Sequence, residues 1–198
     1  MSLDAAKVLI GTADQQSATG AIRNGAAIER ANIPTTFQAA ETLLGTLNDA
    51  GYVSEDGVEL GNDLSTNDIR EWNHAIVRKV LDSFDNTLSW SYIQFDADSW
   101  KQALGEAYVT ETAATTTHGA QMHIKMGAHL APVMTWGFAM KDGDTRVIII
   151  VPRGQVTTLD SITFNATDAV ALPITLSCYD DGTANTVHIY VDDGKTTS

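Results

Sequence analysis

The chain has 198 residues, of which 43% are hydrophobic and 19% are charged, so it is long enough for one domain with a sizeable core. Its 25 acidic and 12 basic side chains give a formal net charge of −13, and such a surface argues against binding nucleic acid through phosphate contacts. The single cysteine excludes an internal disulfide and a two-cysteine metal site.

The N-terminal residues, MSLDAAKVLIG, lack the basic segment, the long apolar segment and the cleavage site of a secretory signal, so we expect synthesis in a cytoplasm.

Residues 11–25 and 61–68 are polar, and loops of this length are uncommon in a compact monomer. We therefore expect another molecule, for example a neighbouring subunit, to order them. The segment 35–47 is a weak helix prediction, with a folded arm as the alternative; its apolar residues at helical spacing are Phe37, Ala40, Leu43, Leu44 and Leu47.

The stretch 51–60, GYVSEDGVEL, predicts a β-hairpin turn. The tripeptide Glu55-Asp56-Gly57 lies between alternating apolar residues, and Asp-Gly is typical of a tight turn because glycine accepts a positive φ angle. A short helix is predicted after Asp98 or Ser99, either of which can cap it, with Gly105 as its end. The apolar stripe of that helix consists of Trp100, Ala103 and Leu104.

Period-two alternation predicts half-buried strands over most of the C-terminal half, packed in a two-layer β fold. Turn signals follow several of them, at 141–144, 180–182 and 192–194. Residues 146–152 are apolar on both faces, which suits a strand covered on both sides, and Pro152 predicts its end. The apolar rows are Met122, Ile124 and Met126; Trp136, Phe138 and Met140; Ile162 and Phe164; Leu172, Ile174, Leu176 and Cys178; and Val187, Ile189 and Val191. The fold class is therefore mainly β, or β-rich α+β, with one short helix.

Catalytic and metal-binding patterns are weak. The chain contains no GxSxG, GxxxxGK, HExxH or GxGxxG motif, and we expect neither an enzyme nor a cofactor. Cys178 lies in an apolar row, which favours a small core residue over a nucleophile. His118, His123 and His129 raise the question of a metal site, but no acid lies among them and their spacing divides them between strand faces, which favours a solvated or interface surface.

Paired acids beside glycine are typical of turns, and the calcium-loop pattern D-x-[DN]-x-[DN]-G is absent. A β-rich hydrolase that uses Asp96 or Asp98 with His123 is the least favoured alternative, because no nucleophile, base and orienting group can be named together.

Fixed offsets connect the predicted turn to the segment after it, TNDIREWNHAIVRKV, which contains Ile69, Trp72, Val77 and Arg78. This arrangement resembles the major tail tube proteins of long-tailed, non-contractile bacteriophages, in which a G-Y-[VI]-S-E-D-G hairpin precedes a polar loop, an I-x-x-W segment and a V-R strand. The upstream stretch GAIRNGAAIERANIPTTFQAAETLLGTLNDAGYVSEDG is similar to the arm of that family. The resemblance is dense from about Gly20 to Phe95, loose to Val191 and absent from the first 19 residues.

One departure concerns the turn after the tryptophan. The family often has glycine directly after the tryptophan, whereas Asn73 and His74 follow Trp72 here, so the local backbone turn is expected to differ.

The resemblance implies a structural virion protein with a tail-tube-type β-sandwich or barrel, a long polar loop, an N-terminal arm over residues 1–34 that is partly intersubunit, and a single domain over residues 35–198. Copies would form hexameric rings whose strands join into a β-barrel wall, and the rings would stack into a tube. DNA would pass through this acidic conduit without sequence-specific binding. The implied partners are a tape measure protein and a tail terminator, with no membrane and with synthesis in the bacterial host cytoplasm.

The same resemblance gives the expected subunit interface. Apolar contacts are expected from Tyr52, Val53, Ile69, Trp72 and Val77, and Gly57 belongs to the hairpin. Polar or ionic contacts are expected from Glu55, Asp56, Arg70 and Arg78. The alternative for each residue is the core of its own subunit or a solvated surface.

The alternative function is a soluble β-sandwich binding module of the carbohydrate type. Such a module would use exposed tryptophans as stacking platforms, here Trp72, Trp90 or Trp100.

Overall fold

A computed structural model of the protein describes residues 9–14 and 21–196. Strands make up 48% of the structure and helices 12%, so the mainly β prediction is confirmed. In the described part of the chain a nine-stranded antiparallel sheet does not close on itself, and a second sheet has two strands.

In chain order the elements are β1 (Thr12–Ala13), β2 (Ile22–Ala26), α1 (Phe37–Leu44), β3 (Asn48–Asp49), β4 (Val53–Arg70), β5 (Ile76–Tyr92), α2 (Ala97–Leu104), β6 (Val109–Thr112), β7 (Gln121–Ile124), β8 (Met134–Asp142), β9 (Thr145–Leu159), β10 (Leu172–Cys178) and β11 (His188–Asp192). The main sheet has the order β3-β2-β8-β9-β10-β5-β4; β1 also pairs with β8, and β11 also pairs with β9. Strands β6 and β7 pair only with each other among the described residues.

Strands β8 and β9 form the centre of the fold. They are joined by a two-residue turn between the paired residues Asp142 and Thr145, where Gly143 has a φ of 59°, as the turn signal predicts. The half-buried prediction for β8 is wrong, because both of its faces are covered. Helix α1 covers one face, and Gly137 leaves room there for the side chain of Leu44.

An aromatic core covers the other face of β8. Trp90 of β5 contacts Trp136 and Phe138, with ring centroids 5.4 and 5.3 Å apart, and lies edge-on to Tyr92 at 5.9 Å. Strand β10 alternates as its sequence predicts, since its even-numbered residues are buried and its odd-numbered residues are half-buried. Its four buried residues are Leu172, Ile174, Leu176 and Cys178. Alternation therefore predicts burial well where one face of a strand packs on this core.

Pro152 does not end its strand, contrary to the prediction. Strand β9 changes partners at this point: Ile150 is its last residue paired with β11, and Gly154 is its first paired with β10. The pairing of β8 with β9 also shifts register here, and the Thr135 hydroxyl donates to the carbonyl of Pro152 at 2.9 Å. A proline is tolerated because its missing N–H falls at a bulge between two partner strands.

The described chain has two α-helices, one more than the single short helix of the expected fold class. The additional helix, α1, confirms the prediction at 35–47 over residues 37–44 and excludes the folded arm there. The hydroxyl of Thr36 caps α1 by accepting from the Ala39 amide. Helix α2 is capped by Asp96, two residues before the predicted Asp98, and the carboxylate of Asp96 accepts from the Ser99 amide at 2.9 Å. Gly105 ends α2 with a φ of 98°, as predicted.

Two of the predicted strands differ from the structure. Residues 162–164 form no strand, and the exposed ring of Phe164 instead contacts Phe95 edge-on. Strand β7 ends before Met126, which is exposed.

Strand β11 also departs from its predicted burial, because it turns its apolar row outward. Ile189 and Val191 are exposed, whereas His188 and Tyr190 are half-buried. Polar contacts explain this orientation: His188 bonds the buried carboxylate of Asp181, and the Tyr190 hydroxyl donates to the carbonyl of Pro34.

The predicted N-terminal arm contributes to the main sheet. Strand β2 lies between β3 and β8, and Ile22 is fully buried there. The stretch 11–25, expected to be an unstructured loop, therefore contains β1 and most of β2. Residues 1–8 and 15–20 of the predicted arm lie outside the described residues, and the domain division at residue 34 stays a prediction.

Candidate assembly surface

The most exposed element is a long hairpin formed by β4 and β5. The two strands pair from Val58 with Trp90 out to Arg70 with Ile76. The predicted polar loop at 61–68 is therefore wrong, because these residues are strand. Their side chains face solvent on both sides of a projecting ribbon, so they lack the apolar alternation by which strands are recognised.

The predicted turn at Glu55-Asp56-Gly57 is a bulge inside β4. Val53 pairs with Tyr92 and Val58 pairs with Trp90, so the chain continues in one direction and the intervening residues loop out of the ladder. Gly57 has a φ of 72°, which explains the glycine. A turn signal and a large bulge look alike in sequence because both need a residue with positive φ.

The true turn of the hairpin comprises residues 71–75. The His74 amide donates to the Glu71 carbonyl, and the Glu71 amide donates to the Ala75 carbonyl, both at 2.9 Å. His74 has a φ of 65°, a left-handed conformation in which histidine is enriched over most residues other than glycine. The chain thus makes this turn without a glycine, with the positive φ angle two residues after Trp72.

An ionic network holds the residues that flank this turn. Asp68 binds Arg70 on its own strand at 3.1 Å and Lys79 on the partner strand at 2.9 Å. Arg70 also donates to the carbonyl of His74 at 3.0 Å. Sequence reasoning missed Asp68, and its position opposite Lys79 follows only from the strand register.

The apolar face of the core continues along the hairpin beyond the body of the protein. The pair Leu60–Leu88 adjoins the core, and the pair Leu64–Phe84 lies on the same face two steps further out. Leu88 is buried, but the outer pair is exposed. The exposed apolar residues of the whole hairpin are Leu60, Leu64, Ile69, Trp72, Ile76, Val77, Val80, Leu81 and Phe84.

The structure places most of the predicted interface residues on the surface of this hairpin or at its base. Val53 and Gly57 are half-buried at the bulge, and the indole of Trp72 is 97% exposed. The other exposed residues are Tyr52, Glu55, Asp56, Ile69, Arg70, Val77 and Arg78. None of the exposed residues is part of the core of its own subunit, and their role between subunits stays a prediction.

A second exposed apolar strip lies on β11. Ile189 and Val191 are exposed on this strand, which pairs on one side with β9. Among the described residues no strand pairs with the other side of β11 or of β4, so both are open edges of the sheet.

The cysteine and the three histidines considered for chemistry lie outside the hairpin. Cys178 is buried, which confirms a core residue, and this burial raises the pKa of its thiol to about 12. The ring of His129 stacks on Tyr108, while His118 lies in a turn and His123 on β7. In the described part of the chain no group of His, Cys, Asp or Glu is arranged to hold a metal ion.

The tryptophans predicted as stacking platforms differ in position. Trp90 is 4% and Trp100 is 3% exposed, so both belong to the core, and only Trp72 remains on the surface.

The two acids considered for a hydrolase lie at helix α2. Asp96 caps α2, and Asp98 forms an ion pair with Lys101 at 3.6 Å.

No helix in the described part of the chain has the length and apolar character of a membrane span.

A search of curated proteins gives no match. A family model described as phage tail tube protein matches residues 15–198, which include every element from β2 to β11. The match covers nearly the whole chain, including the hairpin with its exposed apolar faces, and the chain therefore belongs to the phage tail tube protein family.

Proposed function

We propose that this structural virion protein is the major tail tube protein of a long-tailed, non-contractile phage. Copies would form six-fold rings, and the rings would stack into the tube through which DNA leaves the capsid. The observation that supports this proposal best is the β4–β5 hairpin, which carries exposed apolar side chains away from the body of the subunit.

The energetics of the hairpin favour assembly. Full burial of one leucine or phenylalanine side chain contributes about 1.5–3 kcal/mol. Since Leu64 is 58% and Phe84 is 40% exposed, a neighbour that covers both would gain about that amount for the pair. Large exposed apolar patches mark interaction surfaces in proteins that stay in solution. The open edges of β4 and β11 are hazards for aggregation unless strands of other subunits pair with them.

Two kinds of head-to-tail contact are needed for a tube. A contact whose rotation closes produces a ring, and a contact that does not close produces a stack of unlimited length. We assign the sheet edges to the ring and the projecting hairpin to the contact between rings. The interface residues predicted from the sequence would then lie mainly between rings.

The net charge of −13 suits a conduit for DNA. Basic side chains on the wall would bind the duplex by releasing counterions and would slow its passage. An acidic wall repels phosphate within about 10 Å at ordinary salt, which favours sliding. A tape measure protein inside the tube and a terminator at its end are the proposed partners, and the protein is proposed to be made in the bacterial host cytoplasm.

The carbohydrate-binding alternative has less support, because two of its three proposed stacking tryptophans are buried. A catalytic role has less support as well, because Asp96 and Asp98 serve the cap and the surface of α2. We therefore propose no enzymatic activity.

Shortening both strands of the hairpin tests the proposal. Deletion of residues 61–68 alone would leave β5 without its partner, so residues 64–84 should be replaced by Asn-Gly between the paired Asp63 and Asp85. We expect the shortened subunits to fold but to form no tubes or filaments. Negative-stain microscopy at concentrations where the wild type polymerises measures this.

The β6–β7 loop offers a matched control. Replacement of residues 113–120 by Asn-Gly between the paired Thr112 and Gln121 shortens an exposed hairpin elsewhere and should leave tubes intact. Tubes formed by the variant without residues 64–84, or a wild-type protein that stays monomeric at high concentration, would contradict the proposed function.

A further inference from the structure

We infer that the tip of the hairpin, defined as residues 70–79 around Trp72, inserts into a cavity under the β4 bulge of a second copy of this chain. This inference rests on the proposed function and names the docking site of the hairpin. The tip acts as a knob and the cavity, here called the bulge cavity, acts as its hole.

The knob is an exposed aromatic side chain on a fixed support. Trp72 lies at the far end of the hairpin, and its indole N–H faces solvent. The bonds from Asp68 to Arg70 and Lys79 tie both strands together just behind it. Large aromatic residues that are held in place before binding contribute strongly to interfaces because little conformational freedom is lost.

The hole is a cavity of about 380 Å³ at the opposite end of the same hairpin. Pockets for small organic molecules have volumes of roughly 300–1,000 Å³, so this cavity is large enough for one indole. It lies between β1, β2, β8 and the bulge of β4. Its apolar lining includes Ile22, Val53, Val58, Phe138 and Met140.

The rim of the cavity can complete the hydrogen bonding of the knob. The indole N–H of Trp72 is a donor that needs a partner once it leaves water. The exposed carboxylates of Glu55 and Asp56 line the cavity and are acceptors for such a donor.

The two sites cannot meet within one subunit. Strand β4 runs continuously from Val58, beside the cavity, to Arg70, beside the tip. At about 3.3 Å per residue this segment is about 40 Å long, and the paired strand β5 keeps it extended. A knob can therefore reach only the hole of another copy, and repetition of the contact builds a chain of subunits or of rings.

Charge complementarity supports the same pairing. The tip carries three cations, Arg70, Arg78 and Lys79, against one acid, Glu71. Asp68, just behind the tip, pairs with Arg70 and Lys79, which leaves Arg78 as the tip cation without an ion pair among the described residues. The bulge that borders the cavity carries Glu55 and Asp56, both exposed. Opposite charges around an apolar anchor orient the two copies and disfavour the reversed orientation.

Two variants with complementary defects test the inference. Trp72→Ala removes the knob and keeps the hole, whereas Ala13→Trp fills the cavity from the exposed strand β1 and keeps the knob. Each variant alone should form single rings and raise the concentration needed for polymerisation by at least about tenfold. Rings of each variant that are formed separately and then mixed in equal amounts should form two-ring stacks and nothing longer, because each stack has one usable knob-and-hole contact. Sedimentation velocity and negative-stain microscopy distinguish single, double and long assemblies.

Matched controls separate this inference from the proposed function. Leu130→Trp adds an indole at an exposed site away from the cavity, and Met126→Ala trims an exposed side chain outside the hairpin. Both should form tubes, and circular dichroism should show wild-type folding for all variants. If the wild type forms tubes and Trp72→Ala or Ala13→Trp also forms them at the wild-type concentration, the knob-and-hole contact is wrong while the proposed function stands. Long tubes in the mixture of variants would overturn it too. If the wild type forms no tube, the proposed function itself fails.

Discussion

At the scale of single residues, Asp181 shows how a buried charge is held in this fold. Its side chain is 0% exposed, and its carboxylate accepts bonds from the Thr183 amide at 2.6 Å and from His188 at 2.7 Å. Burial alone would raise the pKa of the carboxyl group, but the hydrogen bonds from Thr183 and His188 favour the ionised form and lower the pKa to about 2. This contact also explains why His188, rather than Ile189, faces inward on β11.

The lowered pKa of Asp181 predicts a pH dependence of stability. Since the folded pKa lies below the ordinary value of 3.8, the unfolded chain binds more protons between about pH 4 and pH 2. The contribution is therefore complete above about pH 4 and is lost as the pH falls through about 2. Asp181→Asn should lower the free energy of unfolding by about 1–2 kcal/mol at pH 7 and by almost nothing at pH 2, as measured by urea denaturation.

The exposed Asp160 provides the control for this measurement. Asp160→Asn should leave the free energy of unfolding within about 0.5 kcal/mol of the wild type. A difference between Asp181→Asn and wild type that stays constant from pH 7 to pH 2 would show that the ionised carboxylate contributes no stability.

At the scale of elements, one buried hydrogen-bond chain joins helix α2 to two strands. The Tyr92 hydroxyl of β5 donates to the side-chain oxygen of Gln102 at 2.6 Å, and the Gln102 amide donates to the carbonyl of Asn48 in β3 at 3.0 Å. Tyr92 and Gln102 are both buried, and burial raises the pKa of the tyrosine above its ordinary range. A short helix can dock firmly on a sheet when its polar contacts are completed in this way.

Removal of the Tyr92 hydroxyl should loosen this connection. Tyr92→Phe keeps the ring in the core but leaves the side-chain oxygen of Gln102 buried without a donor, which costs about 1–3 kcal/mol. The midpoint of urea unfolding should fall accordingly. Tyr52→Phe is the control, because Tyr52 is 60% exposed and its change should have no measurable effect. Equal stability of the two variants would exclude a structural role for this bond.

At the scale of the whole molecule, the compact body and the projecting hairpin differ in what they bury. The body buries the aromatic core between β5, β8 and β10, whereas the hairpin leaves apolar side chains outside it. Subunits with a net charge of −13 repel one another, so assembly needs the burial of this apolar surface to offset the repulsion.

The length of the hairpin predicts the spacing of the rings. If each tip docks beside the bulge of the next copy, the axial repeat cannot exceed the length from Val58 to Arg70, about 40 Å, and a tilt of the hairpin would shorten it. Averaged power spectra of tube micrographs measure this repeat directly. A repeat clearly longer than about 40 Å would mean that the hairpin does not span from one ring to the next.

Local patterns in the sequence determined much of this protein. The alternation in β10, the Asp-Gly turn between β8 and β9, the glycine that ends α2 and the burial of Cys178 are all predictable because each depends on a side chain and its near neighbours. The tail tube resemblance likewise depends on short motifs, and the family match confirms it.

Only the tertiary structure decided the form of the hairpin and the faces of β11. Residues 61–68 are strand because β5 pairs with them, and a ribbon with solvent on both sides has no apolar period to reveal it. The bulge at Glu55-Asp56-Gly57 resembles a turn until Val53 and Val58 are found on the same partner strand. The inward side of β11 was decided by Asp181 and Pro34, whose contacts with His188 and Tyr190 join parts of the chain that no local pattern connects.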